Sequence, residues 1–165
     1  MKKGAFLRYA PFLSSEGIVS FFCLFYNEKK NGGGALKRME VVCGILIRNK
    51  KVFIAKRKSI HANGIWEFPG GKIEQGESAE AAIIRELQEE LHIHAQVVQY
   101  VCDTIDHQEG WEIHVRAYIC SSEEEPNQLD VHSEGRWVDY RKVYDYAFQK
   151  ADRTILDHLQ EVLSC

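Results

Sequence analysis

Gly71-Lys72-Ile73-Glu74-Gln75-Gly76-Glu77-Ser78-Ala79-Glu80-Ala81-Ala82-Ile83-Ile84-Arg85-Glu86-Leu87-Gln88-Glu89-Glu90-Leu91-His92-Ile93 is the stretch that decides the fold. Its second half has the period of a helix. Ile84, Leu87 and Leu91 recur at i, i+3 and i+7 and mark one narrow apolar stripe over Ser78 to Leu91. Ser78 suits the N-cap, and Ala79, Ala81 and Ala82 are strong helix formers. Glu86 precedes Glu89 and Glu90 at spacings that put the three carboxylates on adjacent edges of one face. Like charges at i,i+4 destabilise a helix by about 0.2–0.5 kcal/mol per pair, and only Arg85 offsets them locally. Such a helix either tolerates that cost in solvent or uses its carboxylates to hold a cation. Hard divalent cations take oxygen ligands of this kind, completed by phosphate and water.

On the N-terminal side, Val41 to Ile47 and Lys51 to Lys56 read as a strand pair joined by Arg48-Asn49-Lys50. His61 to Gly64 reads as a loop, Trp66 to Phe68 as a short extended piece and Pro69-Gly70-Gly71 as a sharp break. On the C-terminal side, Val97 to Thr104 and Glu112 to Cys120 are predicted strands. Glu123 to Asn127 is an acidic loop, and Gly135 to Val138 a short strand. A helix over Asp152 to Leu163 turns Ile155, Leu156, Leu159 and Leu163 inward. Mixed strands with few helices, without repeats, predict a single α+β layered domain. Residues 39–165 are taken as that domain. Residues 1–38 are expected to be a leader and linker outside it: the apolar run Gly17 to Tyr26 is too short for a membrane span, and Asn27 to Lys37 has linker composition.

The 165 residues fit one domain, and a net charge of −3 argues against a nucleic-acid polymer as partner, since that needs a basic face. A small anionic ligand held through a divalent cation stays compatible with that charge. The five cysteines form no C-x-x-C pair, which argues against zinc and fits a reducing, cytoplasmic setting. Seven scattered histidines are read as surface or packing residues.

The same central stretch resembles the signature of the Nudix hydrolases, G-x5-E-x7-R-E-U-x-E-E-x-G-U, with U a bulky aliphatic residue. Gly71, Glu77, Arg85, Glu86, Leu87, Glu89, Glu90 and Ile93 stand at those positions, and His92 stands where the family has glycine. Glu67 to Glu74, Arg57, Trp137 and the pair Ala151-Asp152 extend the likeness towards the MutT branch, which sanitises oxidised nucleotides. The resemblance implies an α/β/α sandwich around a mixed sheet and a hydrolase of free nucleoside triphosphates dependent on Mg²⁺, with Mn²⁺ as a substitute. It implies that Glu86, Glu89 and Glu90, with the Gly70 carbonyl, bind the metal. Arg85 is counted with the catalytic set as the group that orients the glutamates, and Glu77 as a tie between loop and helix. Arg57 and Lys72 are expected to contact phosphate, Phe68 and Asp152 the base. Asp130, His132 and Glu134 occupy the loop where relatives add an acidic ligand, and none aligns cleanly. The substrate expected is an oxidised purine deoxynucleotide such as 8-oxo-dGTP, releasing a monophosphate and pyrophosphate. The alternatives are a CTP- or dCTP-type enzyme on the same scaffold and a non-catalytic Nudix ligand-binding domain.

Overall fold

The computed structural model describes residues 36–58, 64–108 and 110–163, with Arg57 and Gln108 described by their backbone alone. Apart from residues 36–38, the expected leader lies outside these residues, as does most of the His61–Gly64 loop. Seven strands form one mixed sheet: β1 (Lys37–Arg48), β2 (Lys51–Arg57), β3 (Trp66–Glu67), β4 (Gly70–Lys72), β5 (Gln96–Gln108), β6 (Trp111–Ser121) and β7 (His132–Asp139). The main path runs β3-β2-β1-β6-β5, with β4 added to β1 and β7 to β2. β1 begins at Lys37, ahead of the boundary expected at Met39.

β1 is the axis of the sheet. It pairs in parallel with β6 from Lys37↔Trp111 to Leu46↔Cys120 and antiparallel with β4 and β2 on its other edge. Asn49 and Lys50, both at positive φ, make the tight turn into β2. Alternation along β1 sorts its side chains into two cores. Met39, Val41, Cys43 and Ile45 enter one, covered by α2 (Lys150–Leu163) through Ala151, Ile155, Leu156 and Leu159. Val42 and Leu46 enter the other, covered by α1 (Ala79–Leu91). The result is the α/β/α sandwich with a mixed sheet. Among the described residues no helix is long and apolar enough to cross a membrane.

Three local expectations need correction. Ser78 does cap α1, its hydroxyl accepting from the Ala81 N–H at 3.1 Å. The buried stripe, however, runs through Ala79, Ile83, Leu87 and Leu91, while Ile84 is 39% exposed. Spacing alone could not choose between two adjacent isoleucines, and Ile83 is the one that meets Gly44 on β1. Pro69-Gly70-Gly71 is less a break than the entry to β4: Gly70 pairs with Cys43 and Gly71 with Val42. The glycines permit close approach, because a Cβ on Gly70 would stand 2.1 Å from the Val42 carbonyl oxygen. Finally, α2 begins at Lys150, so Asp152 lies in its first turn.

The corrected stripe predicts that Ile83→Ala costs about 2–5 kcal/mol by leaving a cavity. Ile84→Ala should stay within about 0.5 kcal/mol. Urea denaturation of the two variants checks this, and equal losses would place the stripe wrongly.

Candidate active site

Arg85 occupies the centre of the site, and each of its donor nitrogens is used. Nε and Nη2 grip the two oxygens of Glu77 at 3.0 Å each, and Nη2 also donates to the Lys72 carbonyl at 2.9 Å. Nη1 donates to Glu86 Oε1 at 2.8 Å and to Glu89 Oε2 at 3.2 Å. A forked guanidinium can join three carboxylates and a carbonyl in this way, whereas a lysine ammonium has no such plane. Glu77 in turn accepts from the Glu74 N–H at 3.1 Å, closing the loop between β4 and α1. Through Arg85, the helix and the loop after β4 become one unit.

Glu86 lies over Gly71. A Cβ at Gly71 would stand 2.4 Å from its carboxyl carbon, so the missing side chain is the space that the carboxylate fills. Glu90, one turn on, accepts from the Gly70 N–H at 3.1 Å. Burial pushes the Glu86 carboxyl above its usual range against the pull of Arg85, and Glu89 and Glu77 push it further. The bidentate bond to Arg85, with the Glu74 N–H, holds Glu77 below that range.

A divalent cation fits this donor set. Four carboxylates gather here and a single guanidinium contacts three of them, so negative charge is left over where Glu86 is already desolvated. All the donors are hard oxygens. In their present orientations no three acidic, histidine or cysteine side chains among the described residues converge on one point. Glu86 and Glu89 turn to Arg85 instead, and Glu90 to Gly70.

The other expected site residues divide. Lys72 is exposed on β4. Arg57 closes β2, and its side chain lies outside the description. Phe68 is 4% exposed, packed against Phe148 at 5.6 Å between ring centres. What Phe68 offers is its backbone N–H, which donates to Asp152 Oδ1 at 3.4 Å. Asp130 and His92 bond each other at 2.9 Å, and Glu134 pairs with Arg136 and Lys56. His92 takes the left-handed conformation (φ 55°, ψ 39°) that ends α1, doing the work of the glycine expected there. Sequence reasoning gave no role to Glu67, which is buried and bonded to His132 at 2.9 Å. Its signals were an acidic residue between Trp66 and Phe68, in a piece read as extended, and its place at the head of the MutT-like stretch Glu67 to Glu74. A hollow of about 280 Å³ lined by His94, Gln96 and residues 121–124 involves none of these side chains.

A family profile described as "NUDIX domain" matches residues 37–159. The CTP pyrophosphohydrolase of Escherichia coli (strain K12) is 34% identical over 123 residues, 74% of this chain and 91% of that protein. The 8-oxo-dGTP diphosphatase of Proteus vulgaris is 43% identical over 74 residues, 43% of this chain and 64% of that protein. Among solved structures, the E. coli ORF135 protein matches with a TM-score of 0.67 at 33% identity, covering 80% of this chain and 95% of its own. The MutT protein from Methanosarcina mazei Go1 matches with a TM-score of 0.71 at 17% identity, over 81% of this chain and 100% of its own, which is a likeness of fold alone.

Replacing Arg85 by Lys keeps the charge and loses the fork. Turnover should fall about 10–100-fold with the far-ultraviolet circular dichroism unchanged. Wild-type turnover in that variant would show that the fork is dispensable.

Proposed function

The chain belongs to the Nudix hydrolase family, whose members act on phosphoric anhydride bonds, and from that premise we propose a Mg²⁺-dependent nucleoside triphosphate pyrophosphohydrolase that prefers an oxidised purine deoxynucleotide such as 8-oxo-dGTP. The observation that carries this reading is the Glu86 carboxylate seated over Gly71, with Glu89 and Glu90 beside it on α1 and the β4 backbone opposite. Glu86, Glu89, Glu90 and the Gly70 carbonyl are the groups that hold the cation. When bound, the cation neutralises the phosphate chain and makes the attacking water more acidic. Arg85 keeps the glutamates at fixed spacing and leaves substrate contact to others. One of the helix carboxylates takes the proton of the attacking water. Attack at the β-phosphorus breaks its bond to the oxygen shared with the α-phosphorus, leaving a nucleoside monophosphate and pyrophosphate. Lys72 and Arg57 are the cations assigned to the phosphate chain.

Asp152 supports the choice of base. It lies inside the first turn of α2, so its carboxylate gains about 0.3–1 kcal/mol from the helix dipole without serving as the cap. It reaches across to Phe68, whose N–H stands next to it as a donor. An ionised carboxylate only accepts hydrogen bonds. The guanine edge offers N1–H and N2–H₂ side by side, two donors that one carboxylate can accept together. Cytosine pairs one donor with one acceptor and suits an ionised carboxylate less well. A CTP- or dCTP-type substrate is the second reading, favoured by the 34% identity to a CTP pyrophosphohydrolase over 91% of that protein.

Glu89→Gln and Glu90→Gln keep size and remove charge. Each should cut Mg²⁺-dependent turnover by orders of magnitude while the melting temperature holds. Near-normal turnover in both variants would sink the metal-site assignment. For the base, Asp152→Ala should lower kcat/KM for 8-oxo-dGTP by about 10–100-fold, the worth of a hydrogen bond to a charged group. A wild-type preference for dCTP over 8-oxo-dGTP would decide for the second reading.

A further inference from the structure

β7 runs antiparallel to β2 in regular register from Lys51↔Asp139 to Lys56↔Glu134, but the next pair is Arg57↔His132. Ser133 is therefore an extra residue on β7, a β-bulge, and its hydroxyl bonds the Lys56 carbonyl at 3.3 Å. Side chains alternate between the faces of a strand, so an inserted residue exchanges the face of the one beyond it. In regular register His132 would share a face with Glu134. The bulge turns it to the opposite face, the one that Ala55 presents to the α1 core. Glu67 on β3 is paired with Ala55 and so points the same way. The two side chains meet there, Glu67 8% exposed and His132 4% exposed, with His132 Nε2 2.9 Å from Glu67 Oε1.

A buried carboxylate requires a donor, and the imidazole Nε2–H supplies it. His132 Nδ1 has no protein partner among the described residues, so it is better left as a lone pair than as a second buried N–H. The pair is then an imidazole Nε2–H donating to a carboxylate oxygen.

Its position gives it a use. Glu67 opens the strip Glu67-Phe68-Pro69-Gly70, and acidic side chains hold that strip from three directions. Asp152 on α2 accepts the Phe68 N–H, Glu90 on α1 accepts the Gly70 N–H, and Glu67 itself is tied to β7 through His132. The Pro69 carbonyl accepts from the Gly44 N–H at 2.8 Å, which fixes the strip to β1. One end of the strip borders the base-reading carboxylate, and the other carries the carbonyl assigned to the cation. We propose that Glu67 and His132 are a positioning pair, whose bulge-dependent hydrogen bond fixes the strip so that the Gly70 carbonyl and Glu90 face a divalent cation together. This rests on the metal site proposed above.

Mn²⁺ binding to the full chain, followed by electron paramagnetic resonance, tests it with a readout independent of turnover. His132→Leu and Glu67→Ala break the bond, whereas His132→Gln keeps a donor. The two breaking variants should bind Mn²⁺ about 10–100-fold more weakly than wild type. His132→Gln should recover most of that loss. A breaking variant that keeps its circular dichroism spectrum and its wild-type Mn²⁺ affinity overturns the proposal. So does His132→Gln binding as weakly as the breaking variants. Should His132→Leu fail to fold, Glu67→Ala is read in its place. Failure of the wild-type chain to bind Mn²⁺ overturns the metal site itself, an outcome distinct from equal binding by wild type and variants.

Discussion

The bond set made by Arg85 is the constraint on which the site depends. Without it, α1 would carry several carboxylates on adjacent turns with nothing to hold them apart. With it, the guanidinium plane dictates where Glu77, Glu86 and Glu89 sit and ties them to the Lys72 carbonyl at the end of β4. One cation is enough to order these groups and too little to neutralise them. The remaining negative charge is what a divalent ion would meet.

That arrangement requires a second condition, the close approach of backbone to helix. Gly44 lets Ile83 onto β1, Gly70 lets β4 onto the Val42 carbonyl, and Gly71 leaves room for the Glu86 carboxylate. Each is a place where a side chain would hold two elements apart. The same short strip that carries Gly70 starts at Glu67 and passes Phe68, so the two ends of the proposed nucleotide site share one piece of backbone. Changes at one end are therefore felt at the other.

Much of this was legible in the sequence because the signals are local. The β1–β2 hairpin follows from two apolar runs around a polar turn, and α1 from Ser78 and the spacing of Leu87 and Leu91. Spacing puts Glu86, Glu89 and Glu90 on one face of α1, and the resemblance to the Nudix signature is what marked them as metal ligands. What escaped notice depends on distant partners. β4 hid inside Pro69-Gly70-Gly71 because its glycines signal a break unless β1 is known to lie alongside. Ile83 and Ile84 are indistinguishable until Gly44 chooses one. Phe68 looked available as an aromatic contact, yet Phe148 buries it. Glu67 and His132 are far apart in the chain, and only a one-residue bulge turns them together. The parallel pairing of β1 with β6 is likewise a product of topology, which strand patterns do not record.

The central claim is that the α1 carboxylates and the β4 backbone form a cation-dependent site for cleaving a triphosphate between its α- and β-phosphates. Phosphorus NMR of the products from a nucleoside triphosphate tests it most directly, with Mg²⁺ present and with the cation removed by chelation. The account predicts equal amounts of nucleoside monophosphate and pyrophosphate with Mg²⁺ and an unchanged triphosphate without it. Orthophosphate and diphosphate as products, or equal hydrolysis after chelation, would contradict it.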